Sequence, residues 1–439
     1  MMHPVRAPGT ASRVRRALVL ALPSAALAAA ATPRARAHEH EHEHEGGHGA
    51  AARAGGAPGT AYAALSPLRC ADASLACASA ATPAWAPDGS LWLAWVAGGA
   101  VSVARSRDAG ATFAAPVVIG RHGAYADVGP DARPQIAVGA DGRIAVVYDV
   151  FKDESWNARV LAATSSDGGA TFSAPRAVSD DPASQRFPAI VQAGDGALFV
   201  AWVDKRRVAA AARRGHRQPG ASIAYARSDD MGGTFSASRI AYPQSCECCR
   251  IGLAVDASRQ PVLLFRAIFG RNVRDHGVVA FGARGSPGPL HRVADDHWAI
   301  DACPHHGPAL VIAADGSYHA VWFTQGSARS GVFYACSRDG GRTFSAPMHL
   351  GSPARRISRP YVLAEGTRVW LAWKEFDGEL ATVHAQVSTD TGARWSTPRE
   401  VARTGGYSDH PLLTAHAGKS YLSWQTQAEG YRLLPLEER

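Results

Sequence analysis

An eight-residue pattern, Ser-x-Asp-x-Gly-x-Thr-aromatic, returns five times along the chain. Its copies run from Ser106 to Phe113, Ser165 to Phe172, Ser228 to Phe235, Ser337 to Phe344 and Ser388 to Trp395, with Arg394 in the Thr place of the last. Successive initial serines lie 59, 63, 109 and 51 residues apart. The long step is about two short ones, and Ala280 to Val293 has the Gly-rich turn chemistry and apolar run of a degraded copy. A unit of this length cannot bury a core of its own, so the units must stack on one another.

The same order of segments surrounds each copy. A short alternating run precedes it, as in Val332-Phe333-Tyr334-Ala335 or Val101-Ser102-Val103-Ala104, and a second apolar run follows. Further upstream lies a pair such as Pro308 to Ile312 and Tyr318 to Phe323, joined by Ala314-Asp315-Gly316. Period-two runs joined by Asp-Gly turns are hairpins. Each unit therefore reads as a four-stranded antiparallel sheet, and sheets arranged round an axis bury both faces and leave only short edges. Trp95, Trp202, Trp322, Trp373 and Trp424 recur at one strand position and read as core.

The repeated octapeptide resembles the Asp-box, or BNR, repeat of the sialidase superfamily. That resemblance implies a β-propeller, with the box as the turn between the third and fourth strands of a blade and remote from any substrate face. The expected fold is all-β, a β-propeller of four-stranded antiparallel blades. Six repeat units plus a blade made from both termini give seven; six blades, as in sialidases, is the alternative. In the composite blade Thr60 to Leu65 would join Pro411 to Thr414, Tyr421 to Trp424 and Tyr431 to Leu434.

Residues 1–37 read as an export signal: Arg13, Arg15 and Arg16 precede an apolar run, and Ala35-Arg36-Ala37 offers a small-x-small cleavage site. The apolar run is too short to span a membrane. Cleavage there leaves a His/Glu-rich flexible segment, 38–59, followed by one propeller domain, 60–439. The full chain has 46 Lys and Arg against 38 Asp and Glu, a net +8. The leader holds six Arg and no acid, so the remainder carries 40 basic and 38 acidic side chains, or +2. The basicity is a targeting device and makes no case for a nucleic-acid partner. The expected location is periplasmic or secreted, and the chain is expected to be monomeric. A metallochaperone or another exported protein is the expected partner.

Two metal-ligating patterns stand out. His38, His40, His42 and His44 alternate with Glu in the segment behind the cleavage site, a ready secondary site for divalent copper, nickel or zinc. The denser one joins Cys246-Glu247-Cys248-Cys249-Arg250, entering the fourth unit, to Cys303-Pro304-His305-His306, entering the fifth. Cys246, Cys248, Cys249, Cys303, His305 and His306 form the expected ligand set, for copper or alternatively zinc. Asp295-Asp296-His297-Trp298 could add a ligand or an acceptor behind one. Structural disulfides, such as Cys249 with Cys303, are the first alternative, and a redox-active dithiol is the second. Cys70 and Cys77 could close a small disulfide loop, and Cys336 reads as a core thiol.

Arg133, Arg186, Arg250, Arg359 and His410 all precede first strands of units, so they should converge on one face as an anion or substrate surface. The sialidase resemblance implies three arginines clamping a carboxylate, with a Tyr–Glu nucleophile pair and an acidic residue. Arg186, Arg250 and Arg359 fit the clamp; Tyr407 or Tyr361 and Glu375 or Asp204 are the candidates for the rest. An early Arg-Ile-Pro is missing, since Ala84-Trp85 stands in the first unit and Arg133-Pro134 only in the second. Three functions thus remain: a metal-binding propeller, a sialidase-type glycoside hydrolase, and a non-catalytic protein- or glycan-binding propeller. The sequence does not settle whether the chain is an enzyme.

Overall fold

The computed structural model describes residues 72–437, apart from residues 194, 283, 284 and 303. The leader, the His/Glu-rich segment, the strand expected at Thr60 to Leu65, Cys70 and Cys303 lie outside the described residues. Cys77 is disulfide-bonded.

Seven antiparallel sheets follow one another along the chain, six of them with four strands and the last with three among the described residues. In six of the seven the strand order across the sheet is the chain order, and in the third it reads in reverse, which is the same meander. The innermost strands are Ala80–Trp85, Gln135–Val138, Gln185–Gln192, Gly252–Val255, Ala309–Ile312, Arg356–Glu365 and Leu412–His416. Each lies against the next, and the seventh lies against the first. The chain is a seven-bladed β-propeller.

Burial explains why the ring forms. Second strands such as Leu91–Ala97, Ile144–Phe151 and Leu198–Asp204 are buried at every position, so they carry near-continuous apolar runs instead of alternation. The cores sit between blades. Ile136 and Tyr148 of blade two meet Trp92 and Val103 of blade one, and Trp370 of blade six meets Leu413 and Trp424 of blade seven. The ring closes where Trp95 of blade one packs in a cluster lined by Tyr431 of blade seven. The five repeated tryptophans are all fully buried. Burying an indole N–H requires an acceptor. Trp202, Trp322 and Trp373 donate to Asp204, Asp296 and Glu375, while Trp95 and Trp424 donate to the carbonyls of Ala73 and Asp409.

All five octapeptides form the same turn after a blade's third strand. In blade two the Ser165 hydroxyl donates to Asp167 (2.8 Å) and accepts from the Gly169 N–H (2.8 Å). The other Asp167 oxygen takes the Thr171 hydroxyl at 2.5 Å. In the fifth copy Arg394 replaces that hydroxyl with a guanidinium N–H, 2.9 Å from Asp390. Gly169 has φ +84°, and a Cβ there would lie 2.1 Å from the Trp92 ring of the preceding blade. Only glycine combines that dihedral with that approach. The degraded copy in blade four keeps its strands, His276–Phe281 and Pro287–Arg292.

These turns carry a pH signature. Hydrogen bonds from Thr171 and Ser165 hold the Asp167 carboxyl down at about 2, against an ordinary 3.8. A depressed carboxyl stabilises the fold above its unfolded pKa and loses that contribution as pH falls through the folded one. Asp167→Ala is expected to lower Tm at pH 7. The gap to the parent should close between about pH 4 and pH 2, followed by thermal melts across that range.

Candidate metal centre

Blade three ends in the strand Arg239–Ser245, and the chain then turns inward through Cys246–Arg250 to start blade four. The turn places three thiols in one spot. The Cys246 and Cys248 sulfurs are 3.6 Å apart, Cys249 and Cys246 3.8 Å, and Cys248 and Cys249 4.0 Å. All three are buried, in a wall of Phe187, Ile251 and Phe265 between blades three and four. With sides of 3.6, 3.8 and 4.0 Å, the triangle has its centre about 2.2 Å from each sulfur, close to a metal–thiolate bond of ~2.3 Å. S–H donation from Cys248 and Cys249, with the nearby Arg266 and Arg274, holds the Cys246 thiol well below its ordinary range.

The two loops singled out by the sequence lie side by side, bridged by two arginines. Arg266 ends the second strand of blade four, Pro261–Arg266, and is 1% exposed. One of its nitrogens lies 3.4 Å from Cys249 Sγ, and the other donates to the carbonyls of His306 (3.0 Å) and Phe323 (3.2 Å). Its plane lies over Trp298, 4.2 Å from the ring centre. Arg274 points one nitrogen at Cys246 Sγ (3.8 Å) and at the Ala302 carbonyl (3.3 Å).

The expected ligand set is only partly brought together. Among the described residues, the cluster of potential ligand atoms within 4.8 Å of one another is Cys246, Cys248 and Cys249. His305, at φ +48°, offers its carbonyl to Arg359 and sets its ring against Phe187. His306 stacks on Phe323 at 4.1 Å with its Nδ1 buried and unpartnered. Burial foremost, then Arg266, pushes the His306 imidazole down to about 3. The Asp295–Trp298 segment is committed elsewhere: Asp295 pairs with Arg292, and Asp296 holds Trp322 and Arg329. Cys336 is half-buried in blade five, and burial pushes its thiol up.

The residues expected to precede the first strands do meet, but as a closed network, and Arg186 and Arg359 lie inside their strands, Gln185–Gln192 and Arg356–Glu365, instead of before them. Asp131 of the blade-two approach accepts from Arg359 (3.3 Å) and the Gly307 N–H (3.3 Å), with Arg250 at 3.8 Å. Its partners thus come from the approaches to blades four, five and six. Arg133 pairs with Asp409, and Arg250 donates to the His410 ring, which burial keeps neutral. Arg186 forks onto both oxygens of Asp127 at 2.6 and 2.9 Å. The Arg133 and Arg359 side chains are 4% and 2% exposed, so their charges are spent within the protein instead of facing a ligand. Arg359 and Phe187 take φ +54° and +57° inside β-bulges of their strands, and each is followed by proline.

Three of the four candidate acid and nucleophile positions are similarly engaged, and Tyr361 sets its ring edge-on to His410. Tyr407 donates to the Ser79 carbonyl, Glu375 accepts from Trp373 and the Ser352 N–H, and Asp204 holds Trp202 and Arg206. After the second strand of blade three the basic stretch that begins at Lys205 forms a helix, Arg206–Arg213, anchored beside the thiol loop by Lys205 on Glu247 at 2.6 Å. Sequence reasoning missed Arg266, and it read Arg274 and His276 only as part of a loop, Arg271 to His276, on the binding face; His276 is buried with neither ring nitrogen partnered. A signal existed in Pro261-Val-Leu-Leu-Phe-Arg266, where an arginine closes an otherwise apolar central strand.

Several solved structures align with this chain at low identity. An ulvan lyase, a polysaccharide lyase bound to -[GlcA(1-4)Rha3S]-, aligns at 10% identity and TM-score 0.53, over 81% of this chain and 91% of its own. The polysaccharide lyase Uly1 aligns at 10% identity and TM-score 0.51, over 82% and 90%. A Hadza microbial sialidase, Hz136, aligns at 14% identity and TM-score 0.47, over 79% and 76%. The likenesses to the two lyases show the fold. No protein-family model and no curated protein matches the chain. No helix among the described residues is long and apolar enough to cross a membrane.

The network at the centre is open to test. Asp131→Ala leaves the buried Arg359 and Arg250 without their shared anion, an expected loss of about 3–5 kcal/mol. Asp88→Ala, on the exposed Asp88–Arg105 pair, should cost under about 1 kcal/mol. Chemical denaturation of both variants measures the contrast.

Proposed function

We propose that this chain is an exported propeller that binds a thiophilic metal ion, copper or alternatively zinc, at Cys246, Cys248 and Cys249. The observation that carries the reading is the buried triangle of sulfurs, whose size suits one ion bonded to all three. Soft thiolates select monovalent copper or zinc over hard cations. Disulfides within the triangle account less well for these residues, since the sulfurs lie 3.6 to 4.0 Å apart, beyond a disulfide bond of about 2.05 Å, and adjacent Cys248 and Cys249 are poorly placed to pair. The His/Glu-rich segment at His38, His40, His42 and His44 fits a role in gathering metal, with a metallochaperone or another exported protein as the exchange partner.

The full chain, purified reduced without an affinity tag and loaded in turn with Cu(I) and Zn(II), is expected to retain one more equivalent of metal than a Cys246→Ser/Cys248→Ser/Cys249→Ser chain. Metal analysis after gel filtration measures the difference. Equal retention by the two chains would remove the proposal.

A second reading is a hydrolase or lyase acting on an anionic glycan. What favours it is that the solved propellers with TM-scores of 0.53 and 0.51 are polysaccharide lyases. The arginine-rich approaches to the blades suit a polyanion, although Asp131, Asp127 and Asp409 occupy those arginines here. Cleavage of sialosides or uronate-containing polysaccharides by the metal-free chain would establish this reading.

A further inference from the structure

The thiol cluster is matched by an unusual pair of positive charges. Arginine stays protonated in proteins, and a buried charge without a counter-ion is strongly unfavourable. Arg266 is 1% exposed, yet among the described residues no carboxylate lies within ion-pair distance of it; the nearest group there able to carry negative charge is Cys249, at 3.4 Å. Arg274, 8% exposed, faces Cys246 at 3.8 Å, and its one carboxylate, the largely exposed Asp301, is as distant at 3.8 Å. The third guanidinium of the neighbourhood, Arg186, is already neutralised by Asp127.

We infer that Arg266 and Arg274 are the built-in counter-charges of a tris-thiolate complex, and that they fit the site to a monovalent thiophilic cation, Cu(I), rather than a divalent one. This rests on the thiol-site reading above. Three thiolates and a monovalent ion leave two negative charges, which two guanidiniums cancel. A divalent ion would leave a net positive charge in an apolar wall, the costlier state. Both arginines are held in place without the metal, Arg266 by the carbonyls of His306 and Phe323 and Arg274 by Asn272 and the Ala302 carbonyl. Their N–H groups aim at the sulfurs, so the compensation is directional, as with partners set behind the ligands of other metal sites.

The test compares the reduced full chain with Arg274→Gln, Arg274→Lys and Arg266→Gln. Chromophoric chelators compete for Cu(I) and, separately, for Zn(II), and binding by the triple Cys→Ser chain is subtracted. Near-ultraviolet thiolate-to-copper absorption reports the site directly. Arg274→Gln is expected to weaken Cu(I) by about 10-fold or more while Zn(II) changes by less than about 3-fold, and Arg274→Lys to recover most of the loss. Arg266→Gln should act in the same direction; if it does not fold, Arg274→Gln decides alone. Unchanged Cu(I) affinity in Arg274→Gln, or equal losses for both ions, overturns the inference. A parent chain that holds Zn(II) but not Cu(I) at the thiols also overturns it while leaving the thiol site standing. A parent that holds neither removes the site itself.

Discussion

Each sheet of this protein can bury its two faces only against its neighbours, and that requirement governs the rest of the molecule. The cores lie between consecutive blades, in clusters that join Trp92 with Tyr148 and Trp370 with Trp424, and the cluster of Trp95, against which Tyr431 packs, closes the circle. A ring has no end at which the pattern can stop with a face exposed, so the last blade must meet the first. The octapeptide turns fix the spacing locally. In blade two the box glycine touches Trp92 of the blade before, coupling a hairpin's turn geometry to the packing of its neighbour.

Closing the ring also brings seven strand beginnings together, and polar groups gathered there must neutralise one another. Asp131, Asp409 and Asp127 supply the negative charge; Arg359, Arg250, Arg133 and Arg186 supply the positive. The result is a cross-braced centre in which residues of three other blades meet on Asp131. The thiol loop sits beside this network, on the blade three to blade four junction. There, among the described residues, the buried Arg266 guanidinium meets a sulfur in place of a carboxylate. The proposed tris-thiolate would supply its counter-charge.

The repeat, the hairpins and the buried tryptophans were legible because each depends on residues near one another in the chain. Ser165, Asp167, Gly169 and Thr171 build their turn from within seven residues. Cys246, Cys248 and Cys249 likewise meet within a single loop, so their grouping could be read directly. The histidines at 305 and 306 were a different matter. Their loop does arrive beside the thiols, yet His305 turns to Phe187 and His306 stacks on Phe323, choices set by apolar neighbours on other strands.

By itself the sequence determined the antiparallel propeller, the number of its repeat units and the proximity of three sulfurs, since local turn chemistry and strand periodicity suffice for all of these. Tertiary structure alone decided what the arginines do. Arg359 meets Asp131 across 228 residues and Arg133 meets Asp409 across 276, which turned an apparent anion clamp into internal ion pairs. It also placed Arg266 and Arg274 against the thiols. Pairings of that kind depend on which loops the ring carries to its centre, and a Coulomb interaction a few ångströms long leaves no periodic trace along the chain.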